Sequence, residues 1–216
     1  MISHGSTTPA ARGILLPVRL LLTLPLALAA VLPYPRFLPD TWAKRAPLVV
    51  GTTVVFEAPA FKVHLKQLDA GERGDFLLNT TGFKIDPFAA PADAAPRFLT
   101  WLLVVENRGD SSLEFNPLNS WLSTNRTEIH TPLSLEDLRG RYGLFDRELP
   151  AAYEHTRQAL FDQPRTVRPG ETAAGLLVYP AIDARTKRFK LDVVIALPSG
   201  DVARLSAPYL REKLPR

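Results

Sequence analysis

The stretch Arg97 to Phe115, RFLTWLLVVENRGDSSLEF, decides how the rest of the chain is read. Phe98 to Val105 carries no charge, and its eight apolar or small residues are too few for a globular helix. Thr100, Trp101 and two valines favour extended backbone instead. The run does not alternate with polar residues, so both faces are expected to be covered, one by an opposing sheet and the other by something packed outside it. Asn107-Arg108-Gly109-Asp110 supplies turn residues, with Asn107 and Gly109 able to take positive φ. Leu113-Glu114-Phe115 is then expected to return as the partner strand of a hairpin.

Working outward, strand patterns dominate on both sides. LVVGTTVVFEA (48–58) is rich in β-branched residues and reads as a strand with Gly51 at a bulge. FKVHLKQLD (61–69) alternates, with Phe61, Val63 and Leu65 on one face and Lys62, His64 and Lys66 on the other, as a half-buried antiparallel strand does. Gly71 to Gly74 reads as a turn and DFLLNTTGFKI (75–85) as a strand or strand pair broken near Gly82. DPFAAPADAAP (86–96) is an Ala/Pro connection. NSWLSTNRTEIH (119–130) suggests a short strand with a polar turn. RTVRPGETAAGLLVYP (165–180), RFKLDVVIAL (188–197) and DVARLSA (201–207) follow, with Pro169-Gly170 and PSGD as turns.

Between residues 134 and 162 the period changes. Ser134 with Asp137 three residues on is a helix N-cap pattern, and Leu135, Leu138 and Tyr142 follow at helical spacing. Pro150 suits a first helical turn, and Leu149, Tyr153, Thr156 and Leu160 form a stripe. The expected fold is therefore mainly β: an antiparallel β-sandwich over 48–210 with a helical insert at 134–162.

The front end sets an address. Leu20 to Leu32 is an uncharged run of 13 residues, short for a membrane span and normal for the apolar part of a signal peptide. Ala27-Leu28-Ala29 offers a small-x-small cleavage pattern ending at Ala29. The rival is a retained anchor over 14–32 that tolerates Arg19. Either way residues 1–29 form an N-terminal hydrophobic segment expected to be helical, 30–47 a Pro-rich linker or extended strap, and 211–216 a basic tail. The formal charge of +4 falls to 24 basic against 22 acidic residues once residues 1–29, with Arg12 and Arg19 and no acid, are set aside. So slight an excess, spread along the chain, predicts no nucleic-acid partner. The absence of cysteine excludes a thiolate metal site, a cysteine nucleophile and a lipid-modified N-terminal cysteine. At 216 residues and 46% apolar, the chain can build its core without disulfides.

LLVVENRG, VRPGETAAGLLVYP and FKLDVVIALPSG together resemble exported bacterial immunoglobulin-like proteins of unknown function, over roughly residues 48–207. The resemblance implies that this antiparallel β-sandwich is immunoglobulin-like, and it implies an envelope location. Its motifs are turn glycines and strand apolars, so it implies no catalytic residue.

The search for chemistry yields little. There is no G-x-S-x-G, no phosphate-binding G-x-x-x-x-G-K-[ST] and no H-E-x-x-H. His64 falls on the polar strand face, and His130 and His155 flank the insert near Glu128 and Glu154 without metal-ligand spacing. Glu136, Asp137, Asp146, Glu148, Glu154 and Asp162 are interleaved with Arg139, Arg141, Arg147 and Arg157, which reads as charge pairing on exposed helices. Trp101 belongs in the core, while Trp42 and Trp121 could pack or bind. Asn79 and Asn125 open glycosylation sequons, a pattern common by chance, and the resemblance to bacterial proteins implies that they are not used. The expected function is an exported or membrane-anchored, non-catalytic binding or structural module of the envelope. No cofactor is expected, and the partner would be an envelope protein or glycan. The expected partner surface is the polar side of the second insert helix, Glu154, His155, Arg157 and Gln158. The alternative is an envelope hydrolase or metal-dependent enzyme with its site at the insert.

Overall fold

The computed structural model describes residues 36–43, 47–83, 85–90, 94–142, 144 and 150–212. Twelve strands run β1 Phe37–Pro39, β2 Leu48–Val50, β3 Thr53–Ala58, β4 Phe61–Gln67, β5 Phe98–Asn107, β6 Leu113–Phe115, β7 Trp121–Thr124, β8 Ile129–His130, β9 Arg165–Val167, β10 Thr172–Pro180, β11 Arg188–Ala196 and β12 Val202–Arg211. Among the described residues three α-helices interrupt them, α1 Ala70–Thr81, α2 Leu135–Gly140 and α3 Pro150–Ala159. The strands form two antiparallel sheets. Sheet A carries β1-β12-β11, with β6-β9 and β7-β8 both paired to β11, and sheet B has the order β10-β5-β4-β3-β2.

Phe98–Asn107 forms an inner strand of sheet B, since β5 pairs with β4 on one edge and with the edge strand β10 on the other. Alternation along it divides two cores. Leu99, Trp101, Leu103 and Val105 belong to the layer between the sheets, together with Leu177, Tyr179, Leu191, Val193 and Ile195. Phe98, with Leu176 and Val178 of β10, belongs to a second core closed by Leu77 of α1, Leu135 and Leu138 of α2, and Ala159 and Leu160 at the end of α3. The helices are what covers the outer face of the uncharged run. Trp101 is fully buried and packs edge-on against Tyr179, Phe189 and Tyr209 at 5.6 to 5.9 Å.

β10 is the last strand of sheet B, and the insert protects its free edge. Leu133 N donates to Val178 O at 2.7 Å and Phe161 N to Leu176 O at 2.9 Å, so both ends of the insert are stitched to that strand. Covering an edge in this way removes a template for unwanted strand pairing. α2 begins with the expected capping box between Ser134 and Asp137, and Leu135 N also donates to the Asp162 carboxylate at 3.3 Å.

Four expectations are corrected. Residues 70–81 are a helix, where Gly71 to Gly74 was expected as a turn and 75–85 as strand. Asp69 and Glu72 form a capping box, Gly82 closes the helix at φ 78°, and Arg73 and Leu77, four residues apart, bury one face. The segment after β5 is not a hairpin. β6 crosses to sheet A and pairs with β11 and β9, because both edges of β5 are already occupied. Neither Asn107 nor Gly109 takes positive φ. The buried Asn107 amide instead donates to Ser111 O at 2.9 Å and Val167 O at 2.8 Å, while its Oδ1 accepts from Gly109 N at 3.0 Å. Gly51 is not a bulge but the first residue of a two-residue turn, φ 61°, between β2 and β3. Within the Pro-rich segment 30–47, Phe37–Pro39 is the extended strap, paired with β12. Leu149 and residues 1–29, 14–32 included, lie outside the described residues, as do residues 213–216 of the tail.

Two turns match expectation. Gly170 takes φ 73° after Pro169, with Glu171 N donating to Arg168 O at 2.9 Å, as a type II turn requires. Gly200 takes φ 85° in the turn between β11 and β12.

Candidate functional site

α3 is held by one face. Ala152, Thr156 and Ala159 are buried, Tyr153 packs against the second core, and Thr156 Oγ1 turns back to Ala152 O at 2.8 Å rather than outward. The stripe of Tyr153, Thr156 and Leu160 therefore docks the helix as its spacing predicts.

The other face carries the expected partner residues. Glu154 and Arg157 are exposed and paired with each other at 2.7 Å, one turn apart, and Gln158 is exposed beside them. His155 is placed differently. Its ring lies on Phe83 with centroids 4.0 Å apart and planes inclined by 27°, and its Nδ1 is buried with no hydrogen-bond partner among the described residues. The imidazole bridges α3 to the chain just after α1, and no ion pair joins it to an acid among the described residues.

Phe83 is the residue the sequence reading missed. It is 48% exposed although it stacks on His155, and Leu78 and Ile85, at 41% and 44%, lie within a few residues of it in the chain. Three large exposed apolar side chains so close in sequence are unusual for a solvated loop. The available signal was the apolar pair Phe83 and Ile85 directly after the helix-ending Gly82.

The remaining polar clusters are structural. Arg73 is buried in α1, and its Nε and Nη2 hold both oxygens of Asp86 at 2.6 to 2.9 Å, fixing the loop after the helix. Asp192 of β11 is fully buried and accepts from Ser206 Oγ and from Arg204 Nε at 3.2 Å, with Lys190 Nζ 3.3 Å away. Arg204 also sits 4.7 Å over the Trp121 ring, which accounts for that tryptophan as packing. Trp42 is exposed.

On sheet B, His64 Nε2 meets Glu106 Oε1 at 3.0 Å, and Arg108 joins Glu106 to Glu57 at 2.9 and 2.6 Å. The hydrogen bond from Arg108, with a smaller contribution from His64, lowers the Glu106 carboxyl below the usual carboxylate range. Among the described residues no serine or threonine hydroxyl hydrogen-bonds to this pair. His130 and Glu128 approach to 3.8 Å. No group of three His, Asp or Glu side chains among the described residues is placed to hold a metal ion.

No family model matches the chain, and no curated protein matches it. Solved structures similar to it include the yjhA protein of Bacillus subtilis, 13% identical, covering 64% of this chain and 76% of that one with a TM-score of 0.36. The ycdA protein of Bacillus subtilis is 12% identical, covering 70% of this chain and 37% of that one with a TM-score of 0.36.

Proposed function

We propose that this chain is an exported, non-catalytic binding module of the cell envelope, an immunoglobulin-like sandwich that presents the α1–α3 surface to a protein partner. One observation carries the reading: Leu78, Phe83 and Ile85, within eight residues of one another at and after the end of α1, are all exposed apolar side chains, and Phe83 stacks on His155 of α3. A half-exposed aromatic ring beside an ion pair is the composition of a contact anchor with a polar rim. The polar groups that could suggest catalysis are engaged in capping, sheet pairing or loop fixing, as Asp137, Asp192, Asp86 and Asn107 are.

Export is supported by the sequence of the front end, with Ala29 as cleavage position or 14–32 as a retained anchor. No helix among the described residues is long and apolar enough to cross a membrane.

The test compares wild type with Phe83→Ser and with the double charge reversal Glu154→Lys/Arg157→Glu, each expressed in the native host and cross-linked in intact cells. The charge reversal is expected to change stability by about 0.5 kcal/mol or less, and Phe83→Ser to lose about 0.5 to 1.5 kcal/mol with its stacking on His155 while the domain stays folded. The specific cross-linked partner should fall strongly with Phe83→Ser and partly with the charge reversal. Unchanged cross-linking in both, with the fold intact, would remove this surface from the binding function.

A further inference from the structure

A second surface carries charge. Where the chain enters sheet A, Phe37 pairs with Arg211, and Arg36 O accepts from Glu212 N at 2.9 Å. Beside this point Lys187, Arg188, Leu210, Arg211 and Glu212 line a concavity of about 440 Å³.

The Arg211 guanidinium is fixed by neutral groups. Its Nε donates to Thr186 O at 3.0 Å, Nη2 reaches Asp183 O at 3.4 Å, and its centre lies 5.1 Å over the Phe37 ring. Among the described residues no carboxylate pairs with Arg211, Lys187 or Arg188. The two nearby acids are already engaged. Glu212 is 3.9 Å from Arg36, and Asp183 is held by Arg185 at 3.0 Å with Arg126 at 3.8 Å. The rim thus has a fixed cation and two exposed ones without counterions, around the half-buried Leu210.

We infer that this rim is a contact site for the anionic phospholipid surface of a membrane, an inference that rests on the anchored form of the function proposed above. Charge complementarity supplies the first argument, since lipid phosphates meet cations that the protein leaves unneutralised. The position of the rim in the chain supplies the second. Only Pro33, Tyr34, Pro35 and Arg36 separate the uncharged run ending at Leu32 from Phe37, a contour of at most about 18 Å. An anchor at 14–32 therefore delivers this end of the domain to the headgroups before any other. A soluble anionic glycan would meet the same charges, but nothing would favour its arrival at the tether.

The test uses the full-length chain on vesicles of phosphatidylcholine alone and of phosphatidylcholine with phosphatidylglycerol, read by amide hydrogen exchange. Amides of residues 185–188 and 209–212 should be protected on the anionic vesicles and not on the neutral ones. High salt should remove the protection, and Lys187→Gln/Arg188→Gln should weaken it, each cation near an anionic leaflet being worth about fivefold. Equal exchange on the two vesicle types overturns the inference. So does equal protection by dextran sulfate in free solution, which would assign the rim to a soluble polyanion.

Alkaline carbonate extraction of native membranes reports separately on the anchor. Release of the chain refutes the anchored form of the function. If the released chain also ignores phosphatidylglycerol vesicles, the rim inference fails with it, whereas salt-sensitive binding of that chain would sustain the rim without the anchor.

Discussion

Replacing Gly175 by alanine tests how the helical insert is joined to the sandwich. Gly175 lies in β10 facing the inter-sheet core, and its backbone is not in the left-handed region, so the conformation itself admits alanine. The obstacle is Phe161, two residues past the end of α3. A Cβ at position 175 would stand 2.7 to 2.9 Å from Cγ, Cδ1 and Cδ2 of that ring. Carbon atoms settle at about 3.5 to 4.0 Å, so the ring would have to retreat by about 1 Å. It has little freedom to do so. Phe161 N is bonded to Leu176 O at 2.9 Å, and the ring meets Phe115 edge-on at 5.5 Å. Overpacking of this kind costs about 1 to 3 kcal/mol, against a gain of about 0.5 to 1 kcal/mol from replacing a strand glycine. The expected net loss is about 1 to 2 kcal/mol, read as a lower denaturant midpoint at unchanged slope. In a Phe161→Leu background the clash is relieved, and Gly175→Ala should become neutral or mildly stabilising. An equal cost in both backgrounds would refute the reasoning, because the penalty would not then pass through the ring.

Three further outcomes are expected. Asn107→Ala should cost about 2 kcal/mol or more in chemical denaturation, since Ser111 O and Val167 O lose their donor and the buried Val167 O has no water to replace it. Gly170→Val should be destabilising by about 1 to 2 kcal/mol for the left-handed backbone alone, as open space surrounds the site, while Glu171→Ala stays within about 0.5 kcal/mol; equal midpoints would reject the type II turn. The side-chain and backbone hydrogen bonds of Arg185 hold the Asp183 carboxyl at about 2 against an ordinary 3.8. A depressed folded value adds stability above the unfolded value and loses it as pH falls from about 4 towards 2, so an acid titration of Asp183→Asn should show a shallower decline across that window.

The strands were legible where one face is buried and the other wet. Residues 61–67 alternate in sequence and in burial, and the turns at Pro169-Gly170 and PSGD need the backbone that their glycines adopt. The insert was legible because Ser134 and Asp137 form a cap and Pro150 starts a helix. α1 was not, because its two interior glycines and the apolar run Phe76 to Leu78 resemble a turn and a strand. Its capping pair, Asp69 and Glu72, was a usable local signal. Which sheet a strand joins was not readable from its own residues. β6 has ordinary strand composition, and only the occupancy of both edges of β5 sends it across the sandwich. The candidate site was half legible, since the polar face of α3 follows from periodicity while Phe83 reaches it through a tertiary contact with His155.

The contrast between the two sheets bears on what the insert is for. On β11 and β12 the outward positions include Lys190, Asp192, Arg204 and Ser206, which hold one another and need no cover. On β5 and β10 the outward positions include Phe98, Leu176 and Val178, which would stand in water without α1, α2 and α3. Burying a side chain of that size is worth about 1.5 to 3 kcal/mol, so loss of the lid would expose a large fraction of the stability of a domain this size. The insert is therefore structural on its inner face whatever its outer face does. Since α3 cannot leave the sheet cheaply, binding through Glu154, Arg157 and Phe83 should proceed without lifting the helix. The two faces should separate under substitution: Tyr153 and Leu160 should govern stability alone, and Glu154 and Arg157 partner recovery alone.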